Sequence, residues 1–227
     1  MIHFECDYTT GAHPKVLEAL VATNGEAHCG YGMDDHCKQA ADQIRTLCQA
    51  PEADVHFLVG GTQTNTTVIA ALLRPHQGVL CAQSGHINVH ETGAVEATGH
   101  KVLGLPAVNG KITAQQIDNA CRAHFEDPNT EHLVQPGMVY LSQTTELGTV
   151  YTKAELEAIR AAADRWSIPV FVDGARLACA LAASDVTLPD LARLADVFYI
   201  GGTKCGALFG EAVVIPNAET IPHFYTI

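Results

Sequence analysis

Val197-Phe198-Tyr199-Ile200-Gly201-Gly202-Thr203-Lys204-Cys205-Gly206-Ala207 is the stretch on which the reading of this 227-residue chain turns. Four apolar residues make a short strand, and two glycines end it. A hydroxyl residue, a single lysine and a further glycine follow. A lysine at an open surface needs no such surroundings. The pattern predicts an amine carried on a tight turn in a close-fitting, partly desolvated pocket, where a lysine pKa falls and the amine can form a Schiff base. Upstream, Phe171-Val172-Asp173-Gly174-Ala175-Arg176 has a similar form, an apolar strand that ends on one acid. An aspartate closing one strand and a lysine after the next make the polar pair that pyridoxal phosphate requires. The aspartate keeps the pyridine nitrogen protonated and the lysine holds the aldehyde.

Outward from these two strands, short runs rich in β-branched residues alternate with helical patterns. Strands are predicted over 55–59, 79–82, 102–105, 138–142, 169–173, 196–200 and 211–215. Helices are predicted over 14–23, 34–49, 62–74, 87–98, 113–126 and 152–166. In the last of these Leu156, Ile159, Ala163 and Trp166 share one face. The alternation implies an α/β fold with a mostly parallel seven-stranded sheet and helices on both faces. A ligand then belongs outside the carboxyl ends of the strands. Residues 1–50 read as an N-terminal arm with helices, and 51–227 as the large, cofactor-binding domain.

Composition narrows the function classes. The chain is 47% hydrophobic and 17% charged, which suits a globular protein with a substantial core. Its net charge is −12 with only 13 basic residues, so nucleic acid is not an expected partner. No apolar run reaches membrane-spanning length, and Met1-Ile2-His3-Phe4-Glu5 lacks the basic and apolar segments of a secretory leader. The eight cysteines are scattered without a C-x-x-C pair, which reads as reduced, buried thiols in a cytoplasmic protein. The twelve histidines form no convincing H-x-x-x-H pair, and no metal is expected.

Further candidates lie along the chain, most of them after a predicted strand. Gly60-Gly61-Thr62-Gln63 opens a helix and reads as a phosphate cradle, or as a plain strand-to-helix turn capped by Thr62. His86, in Ser84-Gly85-His86, is either a ring-facing, proton-exchanging imidazole or an ordinary residue at a helix start. Glu91 can reach back toward the same pocket. In Ser142-Gln143-Thr144-Thr145-Glu146, Thr145 or Glu146 can touch substrate, or the segment is only a polar loop. Arg176 can donate to a cofactor oxygen or a carboxylate, or make a salt bridge at a helix start. Tyr31 and Asp34 lie in a glycine-bounded loop that covers a site or simply caps a helix.

Taken in order, phosphate turn, histidine, aspartate and lysine resemble the threonine aldolase group of the β-eliminating lyase family, enzymes with the aspartate aminotransferase-like fold. The matching segments are Gly61-Thr62-Gln63, Gly85-His86, Val172-Asp173-Gly174-Ala175-Arg176 and Thr203-Lys204. The resemblance implies a pyridoxal phosphate-dependent carbon-carbon lyase of amino-acid metabolism. It would cleave L-threonine or a related β-hydroxy amino acid to glycine and an aldehyde; β-elimination on another amino acid is the alternative within the family. It also implies the roles. Lys204 and Asp173 hold the cofactor as described, His86 stacks on its ring, Gly61 and Thr62 bind the phosphate, Arg176 approaches the ring oxygen, and Thr203 accompanies the lysine. His86 or Glu146 is the base. A homodimer or homotetramer is expected. Two positions depart from the family's habit, Cys6 before Asp7 and Glu146 where some members carry a histidine. The family's C-terminal domain, with its arginine for the substrate carboxylate, has no counterpart in these 227 residues. A poorly active chain, or an inactive cofactor-binding remnant or subunit, is the other expectation.

Overall fold

The computed structural model of the chain describes residues 5–227; Met1 to Phe4, with the leader-free start read there, lie outside the described residues. Helices α1 (Pro14–Thr23) and α2 (Asp35–Cys48) precede a sheet of β1 (Asp54–Leu58), β2 (Gln77–Ala82), β3 (Lys101–Leu105), β4 (Gln135–Ser142), β5 (Val170–Asp173), β6 (Val197–Gly201) and β7 (Glu211–Ile215). Between the strands run α3 (Gly61–Leu72), α4 (His86–Val89), α5 (Ala94–Ala97), α6 (Ala114–Phe125), α7 (Lys153–Arg165), α8 (Leu177–Ala183) and α9 (Leu188–Leu194). The strand order is β1-β7-β6-β5-β4-β2-β3. Pairing from β3 through to β6 is parallel, and β7 alone runs against both its neighbours. This is the mostly parallel seven-stranded α/β architecture expected from the alternation.

Each inner strand is buried on both faces, and its residues sort by a period of two. Leu80, Val139, Leu141, Val170, Val172 and Phe198 pack on one side with α6, α7 and α9. Val79, Cys81, Met138, Tyr140, Phe171, Val197 and Tyr199 pack on the other against Val68 and Ile69 of α3. Three helices start on reciprocal capping boxes, Thr113 with Gln116, Thr152 with Glu155 and Thr187 with Asp190. Helix α1 buries none of its residues and leaves Leu17, Leu20 and Val21 exposed.

Two expectations need correction. The single helix over 87–98 is two four-residue helices, because Thr92 and Gly93 take left-handed φ values of 54° and 78° and break the hydrogen-bond ladder. The cysteines are all free, but only Cys48, Cys81 and Cys121 are buried; Cys29, Cys179 and Cys205 are exposed. Burial pushes the Cys81 thiol up to about 12, which makes it a packing residue.

Strands β5 and β6 close on each other at Gly174, whose carbonyl accepts the Gly201 N–H at 2.9 Å. A Cβ at Gly174 would overlap the Tyr199 carbonyl oxygen, which is backbone and cannot rotate away. Gly174→Ala is therefore expected to cost about 3 kcal/mol or more in urea unfolding. Gly11→Ala, where an added Cβ meets nothing within 4 Å, should stay within about 0.5 kcal/mol.

Candidate active site

The ends of β4, β5 and β6 and the start of α3 surround a cavity of 380 Å³. Gly61, Thr62, His86, Glu146, Asp173, Arg176, Thr203 and Lys204 all line it, so tertiary structure brings these eight candidates together. A larger cleft of 940 Å³ runs between α2, β1 and Phe224–Ile227 and contains none of them. Chemistry rather than volume therefore selects the smaller cavity.

Asp173 is the fixed point. It follows Phe171 on the α3 side of the sheet and is 4% exposed. Its Oδ1 accepts the Ala175 N–H at 2.9 Å and the Tyr199 hydroxyl at 2.5 Å. Its Oδ2 accepts the Tyr140 hydroxyl at 2.5 Å and an Asn65 amide proton at 3.0 Å. Burial, and then the charge of Asp173, push both phenols well above their ordinary range, so they stay protonated and donate.

Asn65 carries the network onward. Its amide nitrogen also donates to Glu91 Oε1 at 2.7 Å, and the same oxygen lies 2.7 Å from His86 Nδ1. The Glu91 side chain is fully buried. An ionised carboxylate only accepts, so His86 Nδ1 donates and Nε2 is the ring atom left to exchange a proton. The hydrogen bond to Glu91 raises the His86 pKa against the opposing effect of burial. Glu146 Oε1 accepts the Ser142 hydroxyl at 2.5 Å and the His86 backbone N–H at 2.8 Å. Its Oε2 is buried without a hydrogen-bond partner among the described residues, as are Asn65 Oδ1 and Glu91 Oε2.

The lysine turn is clamped from β7. Glu211 Oε1 accepts the Thr203 hydroxyl at 2.9 Å, and Oε2 accepts the Gly202 N–H at 3.2 Å. Burial is the main cause that pushes the Glu211 carboxyl up to about 7. Lys204 itself is half-buried, with Nζ 5.6 Å from the centre of the Tyr8 ring. Arg176 forms a two-pronged ion pair with Asp7, Nε to Oδ2 and Nη2 to Oδ1. That pair ties the segment before α1 to the cavity wall.

Some readings move. Gly60, in extended backbone, caps α3 in place of Thr62, and no side chain bonds the first-turn N–H groups. Those donors are left beside the cavity, which suits an anion. Thr145 is buried away from the cavity, with its hydroxyl 2.7 Å from that of Thr149. Asp34 caps α2 by accepting the Cys37 N–H at 2.9 Å, and Tyr31 lines the larger cleft. Sequence reasoning missed Tyr140, Tyr199, Asn65 and Glu211. Period-two alternation placed the two tyrosines on the Asp173 face, and Asn65 stands one helical turn after Gly61. No local pattern pointed to Glu211.

Comparison with known proteins agrees with this geometry. Residues 3–225 match the beta-eliminating lyase family. The low specificity L-threonine aldolase of Pseudomonas aeruginosa is 32% identical over 225 residues, covering 97% of this chain and 64% of that protein. A Leishmania major threonine aldolase structure superposes with a TM-score of 0.92 at 49% identity, over 97% of this chain and 64% of that one. An aspartate aminotransferase mutant from Thermus thermophilus, at 17% identity and a TM-score of 0.71, shares the fold. The chain thus spans 64% of the length of these threonine aldolases. With nearly its whole length matched and one cavity gathering the residues that carry the likeness, the chain belongs to the beta-eliminating lyase family.

Proposed function

We propose that this cavity binds pyridoxal phosphate. We further propose that the protein cleaves the Cα–Cβ bond of L-threonine or a related β-hydroxy amino acid, to glycine and an aldehyde. The observation that carries the reading is a buried carboxylate, Asp173, in one cavity with Lys204, the one lysine among its lining residues.

The residues fit the cofactor. Three buried acceptor atoms around the cavity, on Asn65, Glu91 and Glu146, lack donors among the described residues, as in a site that takes donors from a ligand. The uncapped start of α3 offers N–H groups to a phosphate beside Gly61 and Thr62. Asp173 already accepts four bonds, two of them from neutral phenols that can rotate. A pyridinium N–H is a charged donor and displaces a neutral one with a gain in strength.

Pyridoxal phosphate supplies an electron sink for the pair left on Cα when the bond to Cβ breaks. The chain's residues do the rest. Lys204 would hold the aldehyde covalently, while Asp173 would keep the ring nitrogen protonated. Glu146, with Oε1 fixed by two donors and Oε2 without one, would accept the β-hydroxyl proton as the aldehyde leaves. His86, oriented by Glu91, is the second proton-exchange group and would reprotonate Cα through Nε2. Self-association is proposed with this function, supported by the exposed apolar residues of α1.

Incubation with pyridoxal phosphate, borohydride reduction and peptide mapping should label the Lys204 peptide. Label on Lys101 or Lys153 instead would remove the basis of the assignment. Acetaldehyde release from L-threonine tests the reaction itself. Glu146→Gln should lower kcat about 100-fold while the Lys204 label persists; an unchanged kcat would leave His86 as the only base.

The ligand-free protein offers a separate check. The raised Glu211 carboxyl binds a proton in the fold that the unfolded chain has already lost between its ordinary value of 4.5 and about 7. Stability should therefore fall as pH rises through that window, by an amount on the order of 3 kcal/mol if Glu211 acts alone. Glu211→Gln, which cannot ionise, should flatten the slope in denaturant titrations. An unaltered slope would show that Glu211 does not titrate there.

A further inference from the structure

Away from the cavity, the segment between α1 and α2 gathers three side chains of one chemical kind. Glu26 Oε2 lies 2.9 Å from His28 Nε2 and 3.3 Å from His36 Nε2. All three atoms lie within 4.8 Å of one another. The two imidazoles meet edge to face, with centres 4.9 Å apart and planes at 70°. Glu26 and His28 belong to the loop, and His36 is the second residue of α2. The loop turns back at Tyr31 and Gly32, with φ values of 65° and 74°, and that return brings the three together.

Two exposed imidazoles on one oxygen of an exposed carboxylate gain little from the contact, because water competes for each partner. The same arrangement has a specific use. Ligand atoms about 2.0–2.1 Å from a tetrahedral zinc ion stand about 3.3–3.4 Å apart. The observed 2.9 and 3.3 Å are close to that, so small side-chain rotations open the trio around an ion. Imidazole nitrogen and carboxylate oxygen are both zinc ligands, and the absence of a thiolate from the trio suits a borderline ion over a soft one.

We propose that Glu26, His28 and His36 form a surface site for a divalent transition metal, zinc by preference, that clasps the loop after α1 to the first turn of α2. Water completes the coordination. The clasp would fix the loop that presents Tyr31 to the 940 Å³ cleft, where the Tyr31 carbonyl accepts the Tyr225 hydroxyl at 3.3 Å.

The test uses the full chain, stripped of metal by a chelator and titrated with zinc chloride in calorimetry. One ion per chain is expected, with a Kd of about 1 μM or tighter, together with an unfolding temperature that rises with zinc. Outer-shell changes alone cost about 10–100-fold in metal affinity, so His28→Ala, His36→Ala and Glu26→Gln should each weaken binding at least about tenfold. These positions are exposed, and the metal-free variants should melt with the parent. Cobalt in place of zinc should give visible d–d bands without thiolate charge transfer, which separates the site from neighbouring Cys29 and Cys37. Zinc affinity unchanged in the histidine variants, a thiolate band, or no zinc binding would each overturn the proposal.

Discussion

The Asp173 carboxylate is the constraint around which this structure is arranged. It is buried, and a carboxylate in that position is tolerated only when its lone pairs are matched. The four donors come from different elements: Tyr140 from β4, Ala175 from the turn after β5, Tyr199 from β6 and Asn65 from α3. The acid therefore ties three strands and a helix to one point. A hydrogen bond to a carboxylate contributes about 1.5–3 kcal/mol, so the network that shapes the site also holds the fold.

From that point the site spreads by shared atoms. Asn65 gives one amide proton to Asp173 and one to Glu91, and Glu91 holds the His86 ring. Glu146 holds the backbone of the same histidine and shares the Ser142 hydroxyl, which lies 3.4 Å from the Tyr140 hydroxyl. Position is transmitted by short bonds between rigid elements, which is how the His86 ring keeps its orientation. The lysine turn is held differently. It depends on the Gly174–Gly201 approach and on Glu211, a carboxyl whose proton changes hands near pH 7. One half of the cavity is thus locked by the four hydrogen bonds to Asp173, and the other by a group that titrates.

The amino-acid sequence alone determined the seven strands, their parallel majority and the polar residues at or after the ends of β1, β2, β4, β5 and β6. Those features are local: β-branched runs, glycines at strand ends and one lysine in a glycine-rich turn. Lys204, Asp173, His86, Glu146 and Gly61 were legible because each follows its own strand, and the ends of parallel strands meet at one edge. Tertiary structure decided the partners. Tyr140, Tyr199 and Asn65 read as core or helix residues until β4, β6 and α3 pack around Asp173. Glu211 becomes a clamp only because β7 runs antiparallel beside β6 and brings its first residue to Gly202. Glu26, His28 and His36 have no motif spacing, and only the returning loop joins them. Hydrogen-bond partners distant in the chain leave no periodic trace, so spacing and propensity reveal where a polar group will stand and not what it will touch.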